Sequence, residues 1–257
     1  MNRLTNTIVC ITGASSGIGA SCAKAFASEG ASLLLLARRK DRLDTLAADL
    51  TTQFGTRIQT ATLDVRNREH VEKVFGSLPG EWRQIDILVN NAGLSRGLDK
   101  LHVGKVQDWE EMIDTNVKGL LYVSRTVIPG MVQRGAGHVI NIGSIAGHQV
   151  YPGGNVYCAT KYAVKALTEG MKMDLLGTGV RVCSVDPGLV ETEFSIVRYH
   201  GDTQRAAQTY VNMKPLGPDD IADVVMFCVT RPPHVEITEV IVMPTAQASV
   251  HHVHRKS

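Results

Sequence analysis

The chain has 257 residues, 44% of them hydrophobic, enough to bury one large core, so one domain over 1–257 is the first expectation. Its 27 lysines and arginines and 25 acidic residues leave a formal charge of +2 spread along the chain, which gives neither nucleic acid nor an anionic membrane a footprint. No apolar run approaches the ~20 residues of a membrane span, and "MNRLTNTIVCITG" lacks a signal-peptide core, so a cytoplasmic protein is expected, its five unpaired cysteines reduced and buried.

Apolar runs that suit strands alternate with segments of helical period. The first, 7–12, leads into "ITGASSGIGA" and a helix over 17–29. The run 31–37 precedes Arg38 and Arg39 and a helix over 40–53; the run 57–65 ends in Asp64 and Val65 before a helix over 67–77. The run 85–91 opens "NNAG", followed by a long helix over 108–133, and 137–144 ends at Ser144 before a helix over 155–176. The run 179–185 passes into "DPGLVET" and an aperiodic stretch, a candidate lid at about 189–217; a helix over 218–229 and a run over 236–243 complete the series. Near-continuous apolar strands separated by helices predict a doubly wound α/β fold, a parallel seven-stranded sheet with helices on both faces.

Three places carry chemistry. Gly13, Gly17 and Gly19 lie where a first strand turns into a helix, so backbone can approach a phosphate at the helix N-terminus. The spacing GxxxGxG departs from the dinucleotide GxGxxG pattern. Tyr157 and Lys161 are one helical turn apart, and a cation beside a phenol, whose pKa is ordinarily about 10, lowers that value by roughly 1 to 3. Alone, such a pair is an ordinary amphipathic face. The histidines at 251–254 could hold a metal, but no carboxylate or cysteine is spaced to complete a site, so a solvated tail is expected and no metal is predicted.

TGxxxGxG at 12–19, "NNAG" at 90–93, Ser144 and YxxxK at 157–161, in this order and spacing, resemble the short-chain dehydrogenase/reductase family over essentially the whole chain. The resemblance implies a single-domain Rossmann fold, a nicotinamide cofactor, oxidoreductase chemistry on a CH–OH group, and a homotetramer or dimer. It assigns catalysis to Asn116, Ser144, Tyr157 and Lys161. Cofactor contacts carried over by position are Gly13, Ser15, Ser16, Gly17, Ile18 and Gly19 in the turn; Asp64 and Val65 at the adenine; Asn91, Ala92 and Gly93 at the ribose; Tyr157 and Lys161; and Pro187, Gly188, Val190 and Thr192 at the nicotinamide. Asp64 could equally cap the next helix, and Pro187 and Gly188 could simply form a turn. Where an NAD enzyme carries an acid after the second strand, this chain has Arg38 and Arg39, guanidinium groups suited to a 2′-phosphate, so NADP(H) is expected, with Arg38 the main contact.

The stretches "NIGSIAGHQVYPGGNVYCATK" and "DPGLVETEFSIVRYHGD" look like the branch of the family acting on 3-hydroxy acids such as serine, allo-threonine or 3-hydroxypropionate. Substrate contacts are expected from Ser144, Tyr157, Phe194 and Arg198, with Arg96 the alternative carboxylate partner and Val150 and Tyr151 completing an apolar wall. Two other readings stand beside this one: a 3-oxoacyl-carrier-protein or general carbonyl reductase, and a catalytically idle NADP(H)-binding sensor.

Overall fold

The computed structural model describes residues 3–256; residues 1, 2 and 257 of the expected 1–257 domain lie outside it. In chain order the elements are β1 (Ile8–Thr12), α1 (Gly17–Ser28), β2 (Ser32–Ala37), α2 (Lys40–Phe54), β3 (Ile58–Thr62), α3 (Arg68–Ser77), β4 (Ile87–Asn90), α4 (Val106–Ile113), α5 (Leu120–Arg134), β5 (Gly137–Ile142), α6 (Asn155–Asp174), β6 (Val180–Pro187), α7 (Phe194–Arg198), α8 (Thr203–Gln208), α9 (Pro218–Val229) and β7 (Glu239–Val242). Every strand pairing is parallel, in the order β3-β2-β1-β4-β5-β6-β7.

β2 shows why the apolar runs are unbroken. Successive side chains of a strand point to opposite faces. Leu33 and Leu35 pack into one core with Phe26 of α1 and Ile221 and Val225 of α9, whereas Leu34 and Leu36 pack into the other with Val123 and Met131 of α5. Each buried leucine stabilises the fold by roughly 1.5–3 kcal/mol, so neither face tolerates polar alternation. At the sheet edge β7 alternates exposed and half-buried positions, and its run is correspondingly less apolar.

The sheet winds outward from β1 in one direction and from β4 in the other. The crevice at the carboxyl ends of these two strands is where such a sheet accepts ligands. Several runs outlast their strands for this reason: the third ends at Thr62, and Leu63, Asp64 and Val65 leave the sheet to line the crevice. The long helix expected over 108–133 is interrupted. Asp114–Gly119 form a π-helical turn between α4 and α5, and Asn116 lies inside it. The aperiodic 189–217 stretch contains α7 and α8, two short helices too brief to show a period.

Candidate active site

A cleft of about 720 Å³ opens over the strand ends. Its first wall is the glycine turn. Gly13 has φ +66°, the left-handed region, and a Cβ there would lie 2.9 Å from Ala92 Cα. A Cβ on Gly19 would lie 2.5 Å from the Gly13 carbonyl oxygen and 2.6 Å from Asn91 Nδ2. Gly19 therefore serves close packing and, unlike Gly13, Ser15, Ser16, Gly17 and Ile18, does not line the cleft. Asn91 Nδ2 donates to the carbonyls of Thr12 (3.0 Å) and Gly13 (3.1 Å), while Thr12 Oγ1 accepts from the N–H groups of Asn91 and Ala92, both at 3.1 Å. The two motifs, some eighty residues apart, are thus one hydrogen-bonded unit.

At the adenosine end of the cleft, Arg38 is exposed and makes no hydrogen bond or ion pair among the described residues. Arg39 is more engaged. Its guanidinium donates to Ser15 Oγ (3.1 Å), Ser16 Oγ (2.7 Å) and the Glu193 carboxylate (2.9 Å), and Glu193 also takes Arg42 at 2.6 Å. Hydrogen bonds from Arg42 first, and from Arg39 and Ser16 after it, hold the Glu193 carboxyl down to about 2 against burial. Asp64 is not a helix cap: α3 is capped by Asn67, whose Oδ1 accepts from His70 N at 2.9 Å. The Asp64 carboxylate instead accepts from Arg66 at 2.6 Å, which keeps it below the usual carboxylate range. Val65 lines the cleft beside it.

The reaction end is set by α6 and the turn after β5. Tyr157 and Lys161, 7% exposed each, point into the cleft. Lys161 Nζ donates to the Ile142 carbonyl at 2.8 Å and lies 6.0 Å from the Tyr157 ring centroid. Burial lowers Lys161 to about 8, and burial raises the Tyr157 phenol above its ordinary value. The leading opposing influence on that phenol is Arg198, followed by the Ser144 hydroxyl. Lys161, expected to tune Tyr157, shares its helix face as the spacing implied, and Arg198 adds a second cation over the same ring. Ser144 Oγ accepts from Ala146 N (3.1 Å) and donates to the Pro187 carbonyl (3.4 Å).

Asn116 lies behind this wall, outside the cleft. Its Oδ1 accepts from Leu94 N, and its Nδ2 donates to Leu94 O and Thr160 Oγ1. It abuts Gly93, where a Cβ would meet Asn116 Oδ1 at 3.3 Å and Lys161 Nζ at 3.8 Å. Pro187, Gly188, Val190 and Thr192 line the opposite side. Pro187 closes β6 and Gly188 extends its pairing to β7, its N–H donating to Val242 O at 2.7 Å, so the two form a strand end and not a turn. Thr192 packs against Gly17, whose Cβ would lie 3.2 Å from Thr192 Cγ2.

α7 distinguishes the two candidate arginines. Arg96 is committed to Glu111 (2.7 Å) and to the Val197 carbonyl (2.8 Å). Arg198 has no acidic partner among the described residues. It donates to Ser95 Oγ (3.1 Å) and Tyr151 OH (3.0 Å), and its guanidinium carbon lies 5.3 Å from the Tyr157 ring centroid and 5.0 Å from that of Phe194. Phe194 packs edge-on to Tyr157 at 5.6 Å. Tyr151 joins this wall, but Val150 does not: it is 54% exposed and outside the cleft, because its neighbour Tyr151 takes the inward position.

Sequence reasoning missed three features. Glu193 follows Thr192 directly, but only the fold brings it to Arg39 and Arg42. His148, Asp186 and Glu239 come from three separate segments and place their ligand-type atoms within 4.8 Å of one another. Lys165 Nζ reaches His148 Nδ1 at 3.1 Å and Glu239 at 3.5 Å, which puts an ammonium beside the group. The terminal histidines form no such cluster among the described residues, and Arg255 of the tail donates to the carbonyls of Thr209 and Val211 at the lid. All five cysteines are buried and free.

The short chain dehydrogenase family model matches residues 7–201. NADP-dependent 3-hydroxy acid dehydrogenase YdfG of Salmonella typhi is 49% identical over 242 residues, 94% of this chain and 96% of that protein. The NADP-dependent 3-hydroxy acid dehydrogenase of Schizosaccharomyces pombe is 42% identical over 257 residues, 100% of this chain and 99% of its own length. Among solved structures, the closed form of serine dehydrogenase complexed with NADP+ superposes with a TM-score of 0.91 at 46% identity, covering 97% of this chain and 100% of that one. Serine dehydrogenase from Escherichia coli gives 0.81 at 42% identity over 94% and 100% of the two chains. The chain belongs to the short-chain dehydrogenase family.

Proposed function

We propose that this chain is an NADP(H)-dependent oxidoreductase that interconverts a small 3-hydroxy acid, of the serine, allo-threonine or 3-hydroxypropionate type, with its 3-oxo acid or semialdehyde. The observation that carries the reading is Arg198, a guanidinium held over the Tyr157 and Phe194 rings with no acid of its own. A cation so placed, partly buried against two aromatic rings, favours an anionic substrate, and arginine matches a planar carboxylate. The relatives named for 3-hydroxy acid and serine dehydrogenation support the same class.

The residues present fit the cofactor. Gly13, where a Cβ would collide with the Ala92 backbone, and Gly17, at φ +53°, form a turn that opens the N-terminus of α1 to a pyrophosphate, while uncommitted Arg38, with Arg39 and Ser15 beside it, suits a 2′-phosphate. Asp64 and Val65 would hold the adenine, Asn91, Ala92 and Gly93 the adenosine ribose, Lys161 and Tyr157 the nicotinamide ribose, and Pro187, Gly188, Val190 and Thr192 the nicotinamide. When bound, the nicotinamide supplies the hydride acceptor or donor.

In oxidation Tyr157 removes the substrate hydroxyl proton, and in reduction it returns one to the carbonyl oxygen. Ser144 donates to the same oxygen and steadies its developing charge. With the Asn116 side chain committed to Leu94 and Thr160, a relay water would meet that residue at its backbone carbonyl. The 189–217 segment acts as the lid, delivering Phe194 and Arg198 from α7. An acyl-carrier substrate or an idle sensor gives the Arg198 guanidinium no carboxylate to meet at the reaction end. No helix of the described residues is long and apolar enough to cross a membrane. We assign the enzyme to the cytoplasm as a homotetramer or dimer, by family likeness. The test is Tyr157→Phe: turnover falls by 10² or more with NADPH binding largely intact, and near-normal turnover removes the mechanism.

A further inference from the structure

Behind Ser144, on the side away from the cleft, lies a polar cluster that the proposed chemistry does not use. Asp186, 2% exposed near the end of β6, accepts from His148 Nε2 at 2.7 Å through one carboxylate oxygen, and Ser184 Oγ bonds the other. The Lys165 ammonium has only hydrogens to offer, so His148 Nδ1 accepts from it at 3.1 Å and Nε2 carries the hydrogen aimed at Asp186. This tautomer leaves no imidazole lone pair facing the two acids. The cluster is therefore a hydrogen-bonded relay of fixed charges, with Lys165 as its internal cation, and not a metal site.

Its position matters. The Asp186 carboxylate lies against the backbone of Gly143: a Cβ there would be 1.8 Å from Asp186 Oδ1. Gly143 separates Ile142, whose carbonyl accepts from Lys161 Nζ, from Ser144. The turn Ile145–Gly147 begins at Ser144 and is followed by His148, so it is pinned at one end by the Ser144 contact to the Pro187 carbonyl and at the other by His148 to Asp186. Two neighbouring residues at the end of β6 thus grip both ends of the turn that carries Ser144.

We propose that Asp186, gripped by His148, is a positioning residue of the active site: it fixes the Ser144 turn and serves as the buried counter-charge that keeps Lys161 cationic. The inference rests on the tetrad chemistry proposed above. Tyr157 lies beside Lys161 on α6, and Asp186 of β6 abuts Gly143, next to the Ile142 carbonyl that holds Lys161 Nζ; His148 of the turn, Lys165 of α6 and Glu239 of β7 group around Asp186, and Arg198 of the lid lies over the Tyr157 ring. Among them Asp186 is the anion whose field opposes the effect of burial on Lys161.

The test compares Asp186→Asn, His148→Gln and His148→Leu by pH profiles of kcat/KM, with NADPH binding followed by cofactor fluorescence. Asp186→Asn retains shape but removes charge, so activity and NADPH binding both fall away about one pH unit earlier on the alkaline side, while activity near pH 7 stays within a few-fold of the parent. His148→Leu lowers kcat about tenfold at every pH without moving the profile, and His148→Gln, whose amide can still donate to Asp186, restores most of it. His148 sits nearer the surface, so this pair answers the question even if Asp186→Asn does not fold. A uniform loss in Asp186→Asn, an unshifted profile, or a glutamine variant no better than leucine overturns the proposal. A parent enzyme that does not need Tyr157 is a different failure, that of the tetrad.

Discussion

Replacing Arg198 with alanine removes a guanidinium that lies over the Tyr157 ring with no acidic partner among the described residues. Charge-assisted hydrogen bonds contribute about 1.5–3 kcal/mol each, and a bidentate carboxylate pair in a partly exposed site keeps the low end of the sum, about 3 kcal/mol, which predicts a loss of roughly 10²-fold in kcat/KM for a hydroxy acid. A second effect acts on every substrate. At the 5.3 Å separating the guanidinium from the Tyr157 ring centroid, an effective dielectric of ~20 bounds the charge–phenolate attraction at about 3 kcal/mol, and the half-exposed position of Arg198 reduces this further. Arg198 is the leading influence opposing burial at Tyr157, so the variant's phenol ionises at higher pH and its oxidation profile moves upward. The assay is steady-state oxidation of 3-hydroxypropionate and of a neutral secondary alcohol across pH, with the two substrates compared at each pH so that the effect on Tyr157 cancels. The acid loses about 10²-fold more than the alcohol. Equal losses for the two substrates refute a carboxylate role for Arg198, and an unmoved profile refutes its influence on Tyr157.

Arg38→Asp places an anion where the 2′-phosphate is proposed to bind and weakens NADP affinity at least 10- to 100-fold while NAD affinity holds or improves; calorimetry with each dinucleotide checks this, and a retained NADP preference contradicts the assignment. His138, 2% exposed with no partner for either ring nitrogen among the described residues, is held neutral by burial, its pKa lowered to about 3. The unfolded chain takes up this proton near 6.5 and the folded one only near 3, so the stability present above 6.5 is lost as pH falls through that window, by about 1.4 kcal/mol per pH unit. Urea midpoints of the parent and of His138→Leu at pH 7, 6, 5 and 4 should diverge in slope by that amount; parallel curves contradict it.

The fold was legible because both faces of the sheet impose the same demand. Leu33 to Leu36 are uniformly apolar since each alternate pair meets a different core, and only a parallel sheet under two helix layers asks for that. The glycine turn was legible because a Cβ at Gly13 or Gly19 would collide with backbone or with Asn91. Choices decided by long-range partners were not. Arg96 and Arg198 are equivalent as sequence; Glu111 and the Val197 carbonyl take the first and leave the second. Asp64 and Asn67 are both good capping types, and only the register of α3 selects Asn67. The Tyr157–Lys161 spacing revealed a shared helix face, but not that the Ile142 carbonyl would hold the lysine or that Arg198 would lie over the same ring. His148, Asp186 and Glu239 meet because the carboxyl end of β6 lies between the turn after β5 and the start of β7, an adjacency absent from any local pattern.

The central claim is tested most directly by nicotinamide absorbance on the purified protein, with NADP and separately with NAD, against serine, allo-threonine, 3-hydroxypropionate, 3-hydroxybutyrate and a simple secondary alcohol. The account predicts turnover with NADP and the hydroxy acids, little with NAD, and little with the neutral alcohol. Turnover confined to the neutral alcohol, or an equal rate with NAD, contradicts it.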